Sequence, residues 1–195
     1  MIAIVDSGGA NIASILFALE RLNLNGFLTG DPDKIINADR VILPGVGAAS
    51  AAMTRLNKRG LVECFKTITQ PVLGICLGMH LLYKHSQEWD TDMLGLIDGT
   101  IHEFDRKECA IVPHMGWNSV SLNKAHPLTQ DIEDKSYFYF VHSYRAETDG
   151  YTIGKTDYGS PFSAIVARDN LMGCQFHPER SGSVGEQLLK NFAEM

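Results

Sequence analysis

Two groups of residues in this sequence have the types and spacing to carry covalent chemistry. In the stretch Pro71–Tyr83 (PVLGICLGMHLLY), Cys76 stands two residues from Gly74 and two from Gly78. That G-x-C-x-G pattern is the cysteine counterpart of a nucleophile elbow, a strained strand-to-helix turn in which glycines admit neighbouring backbone. A cysteine opening a helix also meets free N–H groups and the dipole, which favour a thiolate. The second group is Gln175–Glu179 (QFHPE), where Pro178 keeps His177 out of the helical region. Residues i and i+2 of an extended chain share a side, so Glu179 can orient the His177 ring while the other nitrogen takes a thiol proton. Cys76, His177 and Glu179 thus read as nucleophile, base and orienting carboxylate. The bland alternatives are a buried inert thiol and a loop histidine beside a solvated carboxylate. A zinc reading of His-x-Glu wants a P-C-x-x-C half that is absent, so no metal and no cofactor are expected.

The elements that must position these groups follow from hydrophobic spacing. Ile2–Val5, Phe27–Thr29, Arg40–Leu43 and Pro71–Ile75 are short apolar runs typical of buried parallel strands. Helical spacing comes after three of them: Ile12 to Leu22, Ala49 to Leu56 continued by Leu61–Thr69, and Leu77, His80, Leu81 and Lys84. Asp31-Pro32 reads as a turn, and the glycine-bearing Ser7–Asn11 lacks any phosphate-binding fingerprint. Strands alternating with helices predict a parallel sheet covered on both faces. Beyond residue 94 the pattern becomes β-rich: Ile97–Phe104, Ala110–Val112, Trp117–Ser121, Ser136–Tyr144, Tyr151–Thr156, Ser163–Ala167 and Leu171–Cys174, with a closing helix over Gly182–Phe192. The expected fold class is α/β, a mostly parallel sheet with an antiparallel β addition. Pro44–Gly47 (PGVG) lies after a strand and before a helix. Its amides could serve an oxyanion, or it is a plain tight turn, which the residues alone favour. His80 stands one helical turn after Cys76 and should face the same site. His85 and His102 lie in polar stretches expected to be exposed, His126 precedes Pro127 in a turn, and His114 and His142 read as structural members of the β region.

Composition bounds the class. The chain has 195 residues, 45% hydrophobic and 21% charged, with a net charge of −6. That is enough for one domain with a real core, and it leaves no electrostatic footprint for nucleic acid or an anionic membrane. Cys64, Cys76, Cys109 and Cys174 form no C-x-x-C pair. The start, MIAIVD, has no basic segment and turns polar at Asp6, so neither a signal peptide nor a membrane span is expected, and a cytoplasmic location is the default.

With these motifs in place, Gly74–Gly78 and His177–Glu179 together resemble the class I (triad) glutamine amidotransferases. PGVG (44–47), PHMGWN (113–118), YFYFVHSY (137–144) and QFHPERSG (175–182) are similar, within that family, to the glutaminase subunits of imidazole glycerol phosphate synthases. The similarity runs over nearly the whole chain. It implies one amidotransferase domain over 1–195 with a three-layer, flavodoxin-like fold. It also implies hydrolysis of L-glutamine to glutamate and ammonia, in a heterodimer with a (β/α)8-barrel cyclase subunit of histidine biosynthesis that consumes the ammonia. Carried over position by position, Leu77, Val46 and Gly47 would offer backbone amides to the oxyanion. Gly47, His80, His142, Ser143 and Tyr144 would surround the glutamine, and Asn11, Met115, Trp117, Tyr139 and Arg180 would face the partner.

One position departs from the family, which writes G-M-Q where this chain has Gly78-Met79-His80. Histidine cannot donate and accept with amide geometry, so weaker glutamine binding is expected. A charged His80 would also lower the Cys76 thiol pKa. Three alternatives stay open: a paralogue feeding a synthase of surface-sugar amidination, a weakened partner subunit, or an unrelated cysteine hydrolase.

Overall fold

A computed structural model describes residues 1–7, 12–109 and 111–195. Asn11, most of the glycine-bearing turn before it, and Ala110 lie outside the described residues. The first part alternates strand and helix: β1 (Ile2–Val5), α1 (Ile12–Arg21), β2 (Gly26–Thr29), α2 (Pro32–Ile36), β3 (Arg40–Gly45), α3 (Ala49–Lys58), α4 (Leu61–Thr67), β4 (Val72–Cys76) and α5 (Leu77–Leu82). The second part is mostly strand: β5 (Tyr83–Ser86), β6 (Thr91–Asp92), β7 (Ile97–Glu103), β8 (His114–Leu122), β9 (Ser136–His142), β10 (Tyr144–Ala146), β11 (Thr152–Tyr158), β12 (Ser160–Arg168) and β13 (Leu171–Cys174), then α6 (Gly182–Glu194).

Among the described residues the strands form two sheets. A nine-stranded sheet has the order β2-β1-β3-β4-β13-β12-β11-β8-β9, and a four-stranded sheet the order β10-β7-β5-β6. β2, β1, β3, β4 and β13 pair in parallel. β12, β11, β8 and β9 extend them antiparallel. The alternation of side chains along the parallel strands divides the core into two layers. Ile4, Ile42 and Leu73 face α1 and α6, meeting Ile15, Leu19, Leu188 and Phe192. Val5, Val41, Leu43 and Val72 face the other way, onto Ile35 of α2, Leu56 of α3 and Phe65 of α4. Helices therefore cover both faces, as parallel strands require. Among the described residues no helix is long and apolar enough to cross a membrane.

Several sequence expectations need correction. Asp31-Pro32 opens a helix rather than forming a turn, because the Asp31 carboxylate accepts from Asp33 N–H at 3.0 Å and Pro32 supplies a preset first-turn φ. The helix after Cys76 stops at Leu82, so Lys84 belongs to β5. Its last carbonyls, of Leu81 and Leu82, are taken by the N–H groups of Leu94 and Leu96 at 3.0 and 2.9 Å, which turns the chain into the small sheet. The helix from Leu61 ends at Thr67, and Ile111–Val112 carries no strand. The run Ser136–Tyr144 is broken at Ser143: β9 edges the large sheet and β10 joins the small one.

The elbow depends on two glycines. A Cβ on Gly78 would lie 1.7 Å from the Leu43 carbonyl oxygen, and one on Gly74 would lie 2.6 Å from the Gly78 oxygen. The backbone of β3, β4 and α5 meets here with no room for a side chain. Gly78→Ala should therefore cost about 3 kcal/mol or more, seen as a clear fall in Tm or as lost soluble expression. Gly150→Ala, with open space around it, should leave Tm unchanged. A Gly78→Ala chain that melts like the unsubstituted protein would contradict the steric origin of the elbow.

Candidate active site

The site lies at the C-terminal ends of β3, β4 and β13, where open α/β sheets collect their ligands. Cys76 has φ 54° and ψ −112°, a conformation that L residues seldom adopt and that turns the sulfur out of the sheet. Its Sγ lies 3.7 Å from the Val141 carbonyl oxygen and 3.9 Å from Gln175 Nε2. α5 is only six residues long, so the positive charge beside the sulfur comes chiefly from a side chain.

That side chain is His177. Its backbone N–H donates to the Tyr139 carbonyl at 2.9 Å, and its own carbonyl accepts from Ser181 Oγ at 2.7 Å. Its Nδ1 is 2.9 Å from Glu179 Oε1, and the Glu179 side chain is buried, 2% exposed. Glu179 reaches this position from a 3-10 turn over Pro178–Arg180 rather than from extended chain, which corrects the geometry expected from the sequence. With Nδ1 on Glu179, the second ring nitrogen is left for the Cys76 sulfur, which lines the same cavity. Burial works to lower the His177 pKa. The hydrogen bonds and charges of Cys76 and Glu179 outweigh burial and raise it from 6.5 to about 10. His177 is thus an imidazolium at neutral pH. Because the folded pKa is raised, the stability its proton brings is complete below 6.5 and is lost as the pH climbs through about 10.

Cys76 and His177 open into a cavity of about 260 Å3. Leu77, Val46, Gly47, His80, His142, Ser143 and Tyr144 also line it, so those sequence candidates meet in one place, with Glu179 behind His177. The PGVG turn is pinned by Ser7 Oγ, which donates to the Pro44 carbonyl at 2.8 Å, and Gly47 has φ +86°. His80 corrects a further expectation. It is buried, and burial lowers its pKa to about 4, against a 2.6 Å bond between its Nε2 and Gln175 Oε1. It brings no charge to the thiol. His85 and His102 are half-buried on β5 and β7 rather than exposed.

Sequence reasoning missed Glu88, which lines the cavity from the β5–β6 hairpin. Its Oε2 accepts from the Ala49 N–H at 2.7 Å, holding the start of α3 against the site. No motif marks it, and only the hairpin's placement brings it to the cavity. A larger, more open depression of about 550 Å3 near Leu122, Lys124 and His126 holds no nucleophile–base pair.

Met115 and Trp117 on β8 are 63% and 56% exposed and share a face. Trp117 pairs with Tyr139 across β9, their rings 6.0 Å apart and near perpendicular. The Arg180 guanidinium lies over the Tyr139 ring, 4.7 Å from its centroid. These four expected partner-facing residues form one cluster.

Comparison with known proteins identifies the family. The family described as glutamine amidotransferase class-I matches residues 3–195. A protein of Vibrio parahaemolyticus named imidazole glycerol phosphate synthase subunit HisH is 46% identical, covering 100% of this chain and 98% of its own length. A protein of the same name from Idiomarina loihiensis is 49% identical, covering 100% and 97%. Among solved structures, PurLQS from Thermotoga maritima shares the fold, with a TM-score of 0.75 at 20% identity over 99% of this chain and 97% of the other. A structure described as glutamine amidotransferase gives a TM-score of 0.76 at 14% identity, over 99% and 97%. The chain belongs to the class I glutamine amidotransferase family.

Proposed function

We infer that this chain is the glutaminase subunit of an imidazole glycerol phosphate synthase, releasing ammonia from L-glutamine for a (β/α)8-barrel cyclase in histidine biosynthesis. The observation that carries the reading is Cys76 on a strained elbow, sharing with His177, which Glu179 orients, a cavity sized for an amino acid. Full-length similarity to proteins named HisH supports the choice of synthase.

In this reading the Cys76 thiolate attacks the glutamine carboxamide carbon, and the negative charge moves to the carbonyl oxygen. Amide hydrogens of Leu77 and the Val46–Gly47 turn receive that charge; one such donor is commonly worth about a hundredfold in rate. His177 gives its proton to the departing nitrogen, the C–N bond breaks, and ammonia leaves a thioester on Cys76. His177, now neutral, takes a proton from water as the water attacks the thioester, and glutamate departs with the thiolate restored. The Glu88 carboxylate on the cavity wall suits the substrate's α-ammonium. Met115, Trp117, Tyr139 and Arg180 form the cyclase-facing surface of a heterodimer, and Asn11 belongs to it by its sequence position. Four unpaired cysteines fit a cytoplasmic location.

The deciding experiment compares the purified chain alone with the chain plus a barrel cyclase. Little glutamine turnover is expected alone and strong turnover in the complex, while a Cys76→Ala complex should cyclise only when supplied with ammonia salts. Substantial partner-free turnover would point instead to a stand-alone cysteine hydrolase. His177→Asn should slow iodoacetamide alkylation of Cys76 at pH 6.5 by about tenfold or more. That deficit should close as the pH nears about 9, where a thiol ionises unaided. A pH-independent deficit would argue against the imidazolium role. For position 80, His80→Gln should lower KM for glutamine by about threefold to tenfold, since an amide restores simultaneous donor and acceptor capacity. An unchanged KM would remove His80 from glutamine binding.

A further inference from the structure

One wall of the cavity rests on a chain of hydrogen bonds whose direction is dictated at both ends by backbone groups. At one end His142 Nδ1 lies 2.8 Å from the Tyr144 carbonyl oxygen. A carbonyl only accepts, so this Nδ1 carries hydrogen. His142 Nε2 lies 2.9 Å from His114 Nδ1, and His114 Nε2 lies 3.3 Å from Asn118 Nδ2. At the other end the Asn118 amide has one allowed orientation. Its Oδ1 accepts from Ser119 N–H at 2.8 Å, and its Nδ2 donates to the Asp157 carbonyl at 3.0 Å. Flipping the amide would break both bonds.

The second Nδ2 hydrogen of Asn118 therefore goes to His114 Nε2. His114 then donates from Nδ1 to His142 Nε2, and His142 donates from Nδ1 to Tyr144. This is the one arrangement that satisfies every group, and it leaves both rings uncharged. Burial acts in the same sense, lowering His114 to about 4 and His142 well below its ordinary value. Both nitrogens of His142 are occupied, so it offers a ligand a shaped wall and no ring hydrogen bond. The His114 ring is also held in place, stacked 4.9 Å from Phe140 and 4.1 Å from Tyr158.

We propose that His114 and Asn118 are positioning residues of the glutamine pocket: they anchor the His142 ring through its Nε2, opposite the Nδ1 bond to Tyr144, and so fix the His142–Tyr144 corner against which the substrate packs. The proposal deepens the glutaminase reading and rests on it for its kinetic consequence. Two variants separate positioning from mere folding. His114→Phe keeps the stacked ring and deletes the hydrogen bonds. Asn118→Asp keeps the shape but replaces a donor by an acceptor, so His114 must protonate Nε2 and the pair must take up one extra proton.

The test uses the full chain with isotope-labelled histidine nitrogens, and the same chain assembled with the cyclase for turnover. In the unsubstituted protein His142 should give the signature of a neutral ring protonated at Nδ1. In His114→Phe the Tyr144 carbonyl should keep the Nδ1 proton in place, while His142 Nε2 should lose the shift of a hydrogen-bonded acceptor. KM for glutamine should rise about tenfold with kcat changed by less than about twofold, the size of one lost buried hydrogen bond. Cys76 alkylation should stay at the unsubstituted rate, which excludes general misfolding. In Asn118→Asp one of the two rings should become an imidazolium. An unchanged KM in His114→Phe overturns the proposal, as does an Asn118→Asp pair that stays neutral. If His114→Phe does not fold, Asn118→Asp decides alone. If the unsubstituted complex fails to hydrolyse glutamine, the glutaminase reading falls and the ring signatures still judge the hydrogen-bond chain.

Discussion

The close approach of Gly78 to the Leu43 carbonyl is the contact on which the rest of this molecule depends. It lets α5 begin directly at the end of β4, with no connecting loop between them. The chain can make that turn only by placing Cys76 at φ 54°, a strain that the interlocked backbones of β3, β4 and α5 sustain. The reactive sulfur is aimed by main chain rather than by a rotamer. Side chains at this site are then free for charge and recognition.

Charge around that sulfur is confined to few groups. Four histidines, His80, His114, His142 and His177, gather in and behind one small cavity, yet only His177 has both a thiol and a carboxylate to hold its proton. The others are buried beside neutral partners: an amide for His80, and a ring and carbonyl for His142. Desolvation alone would discharge all four. Cys76 and Glu179 together set His177 apart from the three neutral rings. In the proposed mechanism the same residue type would thus serve as acid, as wall and as prop around one cavity.

Much of this was legible in the residues, for local reasons. Gly74–Gly78 and His177–Glu179 are short patterns whose geometry is set within a few peptide units, and the apolar run of Ile2–Val5 and the helical period of Ala49–Leu56 report burial directly. What escaped depends on distant partners. Asp31-Pro32 has the composition of a turn and of a helix cap alike, and the packing of the residues after Pro32 decides between them. The helical spacing of Leu77 to Lys84 continued on paper past the point where Leu94 and Leu96 claim the last carbonyls. Glu88 and the His114–Asn118 chain arise from a hairpin's placement and from cross-strand register, and no motif encodes either. His80 looked like a charge because its neighbour across the fold, Gln175, lies 95 residues away.

The break at Ser143 has a consequence for how such a protein can change. Cys76, His177 and Glu179 hang from the nine-stranded sheet, whereas Tyr144 and Glu88 belong to the four-stranded one. In the proposed mechanism the groups that cleave the bond and part of the wall that meets the substrate thus stand on separate sheets, which the chain links at several points. Substitutions accumulating in the small sheet can reshape the guest without disturbing the cleavage apparatus. A lineage that needs nitrogen from a different amide, or for a different acceptor, could vary one framework and inherit the other intact.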